Sequence, residues 1–269
     1  METTFIRPDK LLSAYIDRYW FFNSTQSKVC TMPKIPPGVG MDLFLHHCDP
    51  FVTLEFGKMQ QSHIIFSGQN SCQILPSGNI NFIAVRFRAG AFKKFTDIPL
   101  HELLDSNASV EDIWGISGRQ LFSRIIGLEN KNSIADKLDN YFLKKLMPND
   151  ANTIAWDFVI DKFYREFDTL DISGLSNFMN VSVRHFRRKF AEETGFSPKQ
   201  FQLLARFHAT IKQLLLKKEK KYLSTALGNG YFDQTHFIKD FKSLMNCTPT
   251  RYLQDENFMS HFYYPSINR

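Results

Sequence analysis

Hydrophobic positions change period part-way along the chain. In the first 88 residues they fall in short runs. Tyr15–Asn23 is aromatic-rich, Met41–His46 and Val52–Phe56 are brief apolar stretches, and His63–Ser67 and Ile80–Arg88 are β-branched or alternating. Runs of that length and make-up predict strands. Pro36-Pro37-Gly38, Asp49-Pro50, Gly68 and Ser77-Gly78-Asn79 supply turns between them. Short strands that must each hide one face predict a small antiparallel barrel or sandwich.

From about Ser117 the period becomes helical. Leu121, Phe122, Ile125 and Ile126 form one stripe, and Ile134, Leu138, Tyr141, Phe142 and Leu146 form another. Pro148-Asn149-Asp150 reads as a hinge, and Ile154–Phe167 opens a second helical stretch. The pattern predicts an α+β chain of two domains: a β-rich domain over 1–116, a helical connector over 117–150, an all-α domain over 151–256 and a tail over 257–269.

Composition narrows the class without naming it. A chain of 269 residues suits two modest domains, and 43% hydrophobic with 22% charged residues excludes a disordered or fibrous protein. No apolar run approaches the ~18 residues of a membrane span. Met1–Asp9 lacks the basic-then-apolar order of a leader, so the expectation is a cytoplasmic protein. Cys30, Cys48, Cys72 and Cys247 stand too far apart for a CxxC zinc motif and argue against a disulfide framework.

Charge is more informative once divided. Residues 1–167 carry 18 Lys and Arg against 18 Asp and Glu, whereas the remainder carries 15 against 9. Arg184–Lys221 alone holds 11 basic and 3 acidic residues. A neutral module joined to a basic one points to an anionic partner, most simply nucleic acid. A solvated basic face is the alternative for charge taken alone.

The basic third repeats itself at an offset of 51 residues. Ile172 matches Leu223, His185 matches His236, Phe186 matches Phe237, Arg188 matches Lys239, Phe190 matches Phe241, and Ser197-Pro198 matches Thr248-Pro249. Two copies are too few for a solenoid and predict two similar small modules. In the first, Asp171 caps a short helix through Phe178, Asn180 suits a tight turn, and Ser182 caps a helix to about Thr194. Val183, Phe186 and Phe190 form its inner stripe, while Arg184, Arg187 and Arg188 project together from another side. Gly195 ends it, and Ser197-Pro198 starts the next helix.

The second copy places a helix at Leu223–Asn229, a turn at Gly230 and a helix over Asp233–Met245. Gly230 is one residue out of register with Asn180. Between the copies, Phe201, Leu204, Ala205, His208, Ile211 and Leu215 predict one continuous helix over Pro198–Lys218, ~30 Å long and close to the ~34 Å turn of B-DNA. The all-α domain thus reads as a double helix-turn-helix joined by a long linker helix.

These residues together resemble the AraC-type family of transcriptional regulators. The resemblance rests on Val181-Ser182-Val183-Arg184-His185-Phe186-Arg187-Arg188-Lys189-Phe190, on Glu193-Thr194-Gly195-Phe196-Ser197-Pro198, and on Gly230 through Lys242 followed by Thr248-Pro249 and Tyr252. It covers roughly residues 157–254. The sequence departs from the family pattern at Ser176 and Thr225 (usually Ala and Ile), at Asn229 (usually aliphatic) and at Asn246 (usually Gly).

Carried over residue by residue, the resemblance implies that Arg184, Arg187 and Arg188 of the first reading helix face base edges, as do Gln234, Thr235, Ile238 and Lys239 of the second. Arg can pair with guanine O6 and N7, Gln with adenine N6 and N7, and Ile238 can touch a thymine methyl. Lys189, Lys199, Lys212, Lys217 and Lys218 read as phosphate neutralisers. For any single arginine the alternative is a solvated face or a pair with Glu192 or Glu193. The recurrence of His185 as His236 points to packing or phosphate contact rather than to a metal.

In the N-terminal part, Pro37–Leu43 and Val85–Phe92 resemble segments of one AraC-type subgroup. The resemblance implies double-stranded DNA as partner, an N-terminal domain that senses an unknown small-molecule effector or pairs the chain as a homodimer, and contact with RNA polymerase; a ligand-free protein-interaction platform, or a barrel enzyme with a DNA-binding tail, is the alternative. Helices in the connector often pair subunits in the family; packing on the chain's own β-domain is the alternative. No enzyme chemistry is legible. Pro37-Gly38-Val39-Gly40 lacks the P-loop Lys-Ser/Thr, no Ser or Cys sits in a nucleophile elbow, and His46 and Cys48 share a strand face with no third ligand in view. No catalytic residue, cofactor or metal is assigned. The 27 phenylalanines serve core packing, with an apolar effector pocket as the alternative reading.

Overall fold

The structure is a computed structural model that describes residues 2–24, 32, 34–66, 68, 70–76, 79–167, 170–217 and 221–254. Among the described residues seven strands open the chain: β1 (Glu2–Ile6), β2 (Ile16–Ser24), β3 (Met41–His46), β4 (Val52–Thr53), β5 (Gly57–Lys58), β6 (Ser62–Ile65) and β7 (Ile80–Phe87). Five of them form one antiparallel sheet in the order β1-β2-β7-β3-β6, and β4 pairs with β5 as a separate hairpin. Among the described residues no pairing joins the edge strands β1 and β6, so the sheet stays open where a closed barrel was one expectation.

Register sorts the side chains into two buried faces. Phe22↔Phe82, Trp20↔Ala84, Phe44↔Ala84 and Phe44↔His63 put Trp20, Phe22, Phe44, His63 and Phe82 on one face. Phe51 closes over it, meeting Phe44 edge-on at 5.3 Å. Tyr19, Val85 and Phe87 point the other way, where α3 (Lys131–Lys145) packs after α1 (Val110–Trp114) and α2 (Ile116–Ile125). There the Tyr19 hydroxyl donates to Asp139, and Phe87 meets Phe142 at 5.3 Å. Ile134, Leu138 and Phe142 are fully enclosed by this packing. These three residues of the α3 stripe are therefore packed on the chain's own sheet domain, while Tyr141 and Leu146 are half-buried.

Three elements differ from the sequence reading. Val52–Phe56 is not one strand: the Thr53 hydroxyl accepts the Phe56 N–H at 3.0 Å, a local bond that competes with the ladder, and Gly57 at φ 71° turns the chain back. β1 was not expected. Helix begins at Val110, seven residues before Ser117, because Ser109 and Asp112 form a capping box. Two 3₁₀ turns, Ala91–Phe95 and Leu100–Glu102, precede it.

The second domain is helical throughout: α4 (Ala151–Arg165), α5 (Ile172–Phe178), α6 (Val183–Thr194), α7 (Pro198–Leu216), α8 (Leu223–Gly228), α9 (Gln234–Met245) and α10 (Pro249–Tyr252). The 51-residue offset holds in the backbone. It carries both ends of α6 onto those of α9 and the first residues of α5 and α7 onto those of α8 and α10. α8 is one residue shorter than α5, which is the register slip seen between Asn180 (φ 52°) and Gly230 (φ 80°).

Candidate nucleic-acid interface

Each reading helix is defined by its caps. The Ser182 hydroxyl accepts the His185 N–H ahead of α6, and Asp233 accepts the His236 N–H ahead of α9. Gly195 and Asn246 close them in the left-handed region, at φ 84° and 53°. Asn is the residue next best suited to that conformation, so the departure from Gly at 246 keeps the cap. The other departures are also absorbed. Ser176 and Thr225 are buried, and Asn229 exchanges hydrogen bonds with Gln213 at 3.2 and 3.3 Å while donating to the Thr225 carbonyl at 2.8 Å.

With Phe186 and Phe190 enclosed beneath α6, Arg184, Arg187 and Arg188 lie exposed. Arg188 is loosely paired with Glu192 at 3.8 Å and keeps a 70% exposed side chain. On α9, Phe237 and Phe241 are enclosed, Gln234, Thr235 and Lys239 are exposed, and Ile238 is half-buried. The Gln234 amide donates weakly to the Tyr222 hydroxyl at 3.4 Å.

The lysines do not act as a set. Lys199 and Lys217 are exposed at the two ends of α7. Lys189 is half-buried and paired with Glu193 at 2.9 Å and Glu192 at 3.4 Å. Burial pulls its ammonium down, but the hydrogen bond to Glu193 and the charges of both glutamates hold it above the usual lysine value. Lys212 is half-buried and lines a cavity between the two domains. Lys218 lies outside the described residues.

Two residues that sequence reasoning passed over belong to this region. Arg206 of α7 lies 4.5 Å from the centre of the Tyr231 ring and bonds Asp240 at 3.2 Å, tying α9 to the linker helix. His236 joins that cluster, 3.5 Å from both Arg206 and Asp240, which gives it a packing role; His185 is exposed, 3.4 Å from Arg188. Phe232, just ahead of the Asp233 cap, is 86% exposed. Its only sequence signal was a place in the motif.

Below the modules, the cavity of about 470 Å³ is walled by Val39, Gly40, Arg86 and Phe87 of the sheet domain and by Ile160, Tyr164, His208 and Lys212 of α4 and α7. His208 is buried against Pro37 and Gly38: a Cβ on Gly38 would stand 2.5 Å from its Nε2. Burial, then the charge of Arg86, pushes this imidazole down to about 3. Among the described residues no group of three or more His, Cys, Asp or Glu is placed to hold a metal. His46 stacks on His63 at 5.2 Å instead of joining Cys48, which bonds near Asn81. No helix among the described residues is long and apolar enough to cross a membrane.

A helix-turn-helix domain family matches residues 175–255, the stretch that holds both modules. Within that match lie the residues that resemble the AraC-type family of transcriptional regulators. A helix-turn-helix domain there is consistent with DNA binding through α6 and α9. The N-terminal domain matches, over residues 4–109, a family described as a domain of unknown function, DUF6597. No curated relative matches the chain in sequence. Among solved structures, ToxT from Vibrio cholerae is similar at 15% identity, covering 87% of this chain and 97% of that one with a TM-score of 0.41. The unsaturated fatty acid-bound form of ToxT matches at 15% identity, over 87% and 94%, with a TM-score of 0.40.

Proposed function

We propose that this regulator reads its operator with α6 and α9 in successive major grooves on one side of the DNA. Arg184, Arg187 and Arg188 address guanine edges, Gln234 an adenine, Thr235 and Lys239 neighbouring base edges, and Ile238 a thymine methyl. Lys199 and Lys217 neutralise phosphates and set affinity rather than sequence. The observation that carries this reading is the exact 51-residue repeat of two capped, outward-facing helices across one unbroken 19-residue helix, about 28 Å long.

The test is a binding titration on an operator selected from random DNA with the full chain. Affinity should fall with rising salt, each phosphate contact adding about −0.9 to the log–log slope. Lys217→Ala should weaken all sequences alike and reduce the slope by about one contact. A triple Arg184→Ala, Arg187→Ala, Arg188→Ala variant that keeps its site preference would remove α6 from base reading.

The cavity between the domains supports an effector role for the N-terminal half. Its volume lies within the ~300–1,000 Å³ of small-molecule sites, and an occupant would touch the sheet domain, α4 and α7 at once. Such a ligand would alter DNA binding through the relation of the two domains. A thermal-shift screen tests this. A hit that leaves operator affinity unchanged, or no hit together with a full response to a partner protein, would favour a ligand-free interaction platform.

A further inference from the structure

We propose that Phe66, Ser71 and Lys34 of the sheet domain act together as a spacer gauge for DNA recognition, as positioning residues that fix the gap between the two reading helices. The inference rests on the two-helix reading given above. It starts from how α6 and α9 end. Both reading helices stop against the same strip of the sheet domain.

At the end of α6, Phe66 packs under Gly195 and meets Phe196 edge-on at 5.2 Å. The fit leaves no slack: a Cβ on Gly195 would stand 2.6 Å from the Phe66 ring. At the end of α9, the Ser71 backbone N–H donates to the Leu244 carbonyl at 3.1 Å, and the Lys34 ammonium donates to the Met245 carbonyl at 2.8 Å. The last carbonyls of a helix have no partner within it and form its negative end, which a donor and a cation both satisfy. Lys34 and Ser71 are linked in turn, because Ile35 and Cys72 exchange backbone hydrogen bonds at 2.8 and 2.9 Å.

Phe66 and Ser71 are five positions apart, so chain geometry alone keeps these two anchor points within about 18 Å. α7 joins the modules through their cores, and this strip joins them again through their C-terminal ends. One link would leave a hinge; two links on different sides fix both distance and angle. The sheet domain thereby becomes part of the ruler that sets which half-site spacing is read.

The experiment uses the full chain and a series of operators in which the two half-sites are moved apart or together by one and two base pairs. The wild-type chain should show a sharp optimum, each displaced spacing losing about tenfold or more. Phe66→Ala and Lys34→Met should each flatten that profile to less than about threefold while leaving non-specific DNA affinity and its salt slope unchanged, and Lys34→Arg should restore it. A sharp wild-type optimum that both variants retain overturns the proposal alone. So does an equal loss at every spacing, the signature of damaged folding. A wild-type chain that binds a single half-site as tightly as the pair overturns it together with the two-helix reading.

Discussion

The two helix-turn-helix modules share a backbone but are held by different means. The first is closed by rings: Trp156, Phe163, Phe186, Phe190 and Phe201 interlock at centroid distances from 4.6 to 6.3 Å. The second combines Phe207, Phe237 and Phe241 with polar ties, the Arg206–Tyr231–Asp240 cluster and the Asn229–Gln213 amide pair. Their outward faces diverge too, three guanidiniums on α6 against an amide, a hydroxyl, an aliphatic and an ammonium on α9. Apolar periodicity and caps suffice to repeat a backbone. The joining and exposed residues are then free to give each copy a separate task.

The largest expected effect acts on what the modules share. His208 in the linker helix, and His46 and His63 in the sheet domain, are buried as neutral imidazoles, held down by burial to about 3, 3 and 4 from an ordinary 6.5. For His46 the neighbouring His63 adds to the burial effect, and for His208 Arg86 does. Folded-state values below the unfolded one mean that the unfolded chain binds protons first. Stability is therefore full above about pH 6.5 and is lost as pH falls toward 4, with a limiting slope of about 4 kcal/mol per pH unit when all three contribute. Urea unfolding from pH 7 to 4.5, followed by hydrogen exchange in α6 for the first module and in α9 for the second, should show both failing together. Loss of α9 protection well before that of α6 would mean that the polar ties fail on their own.

The next effect separates the modules at their C-caps. Gly195→Ala forces a side chain into the left-handed region and against the Phe66 ring, so it should cost about 2–4 kcal/mol. At the equivalent position of the second module, Asn246→Ala removes only a tolerated left-handed residue and should cost about 0.5–1 kcal/mol. Denaturant midpoints measure both. Equal costs would mean that the sheet domain does not press on α6.

How much of this was readable beforehand follows from where each signal lies. The bounds of α6 were legible because Ser182, the Phe186–Phe190 stripe and Gly195 are all within it or beside it. β3 was legible to the residue for the same reason. β1 was not: it is a five-residue edge strand whose partner, β2, supplies most of the apolar surface. The contacts that join the domains, His208 on Gly38, Lys34 on Met245 and Phe66 on Gly195, unite residues far apart in sequence and leave no periodic trace. The place of Lys212 on that cavity was equally hidden, since helical spacing shows that a lysine lies off the core stripe but not which neighbour it meets.

Base reading should divide unevenly between the copies. Arg187→Ala, which removes a guanidinium able to form two bonds to guanine, should cost about 1–3 kcal/mol of operator affinity and relax preference at one base. Lys239→Ala removes a single point charge on a mostly neutral face and should cost less, shifting salt dependence more than sequence preference. Titrations against a panel of single-base operator variants distinguish these outcomes. Equal losses, with equal relaxation of site preference, would abolish the asymmetry.

The smallest effect tests whether the second cap is merely tolerated or kept for a purpose. Asn246→Gly removes the residual steric cost of a left-handed Asn at φ 53°, while the added freedom of the unfolded chain offsets part of the gain. The net expectation is a stabilisation of about 0.5 kcal/mol, with operator affinity unchanged. If stability rises while the preferred half-site spacing blurs, Asn246 is holding the end of α9 at the angle that Ser71 and Lys34 require. If neither changes, the cap is neutral and the second module is positioned by those two donors and the Arg206 cluster alone.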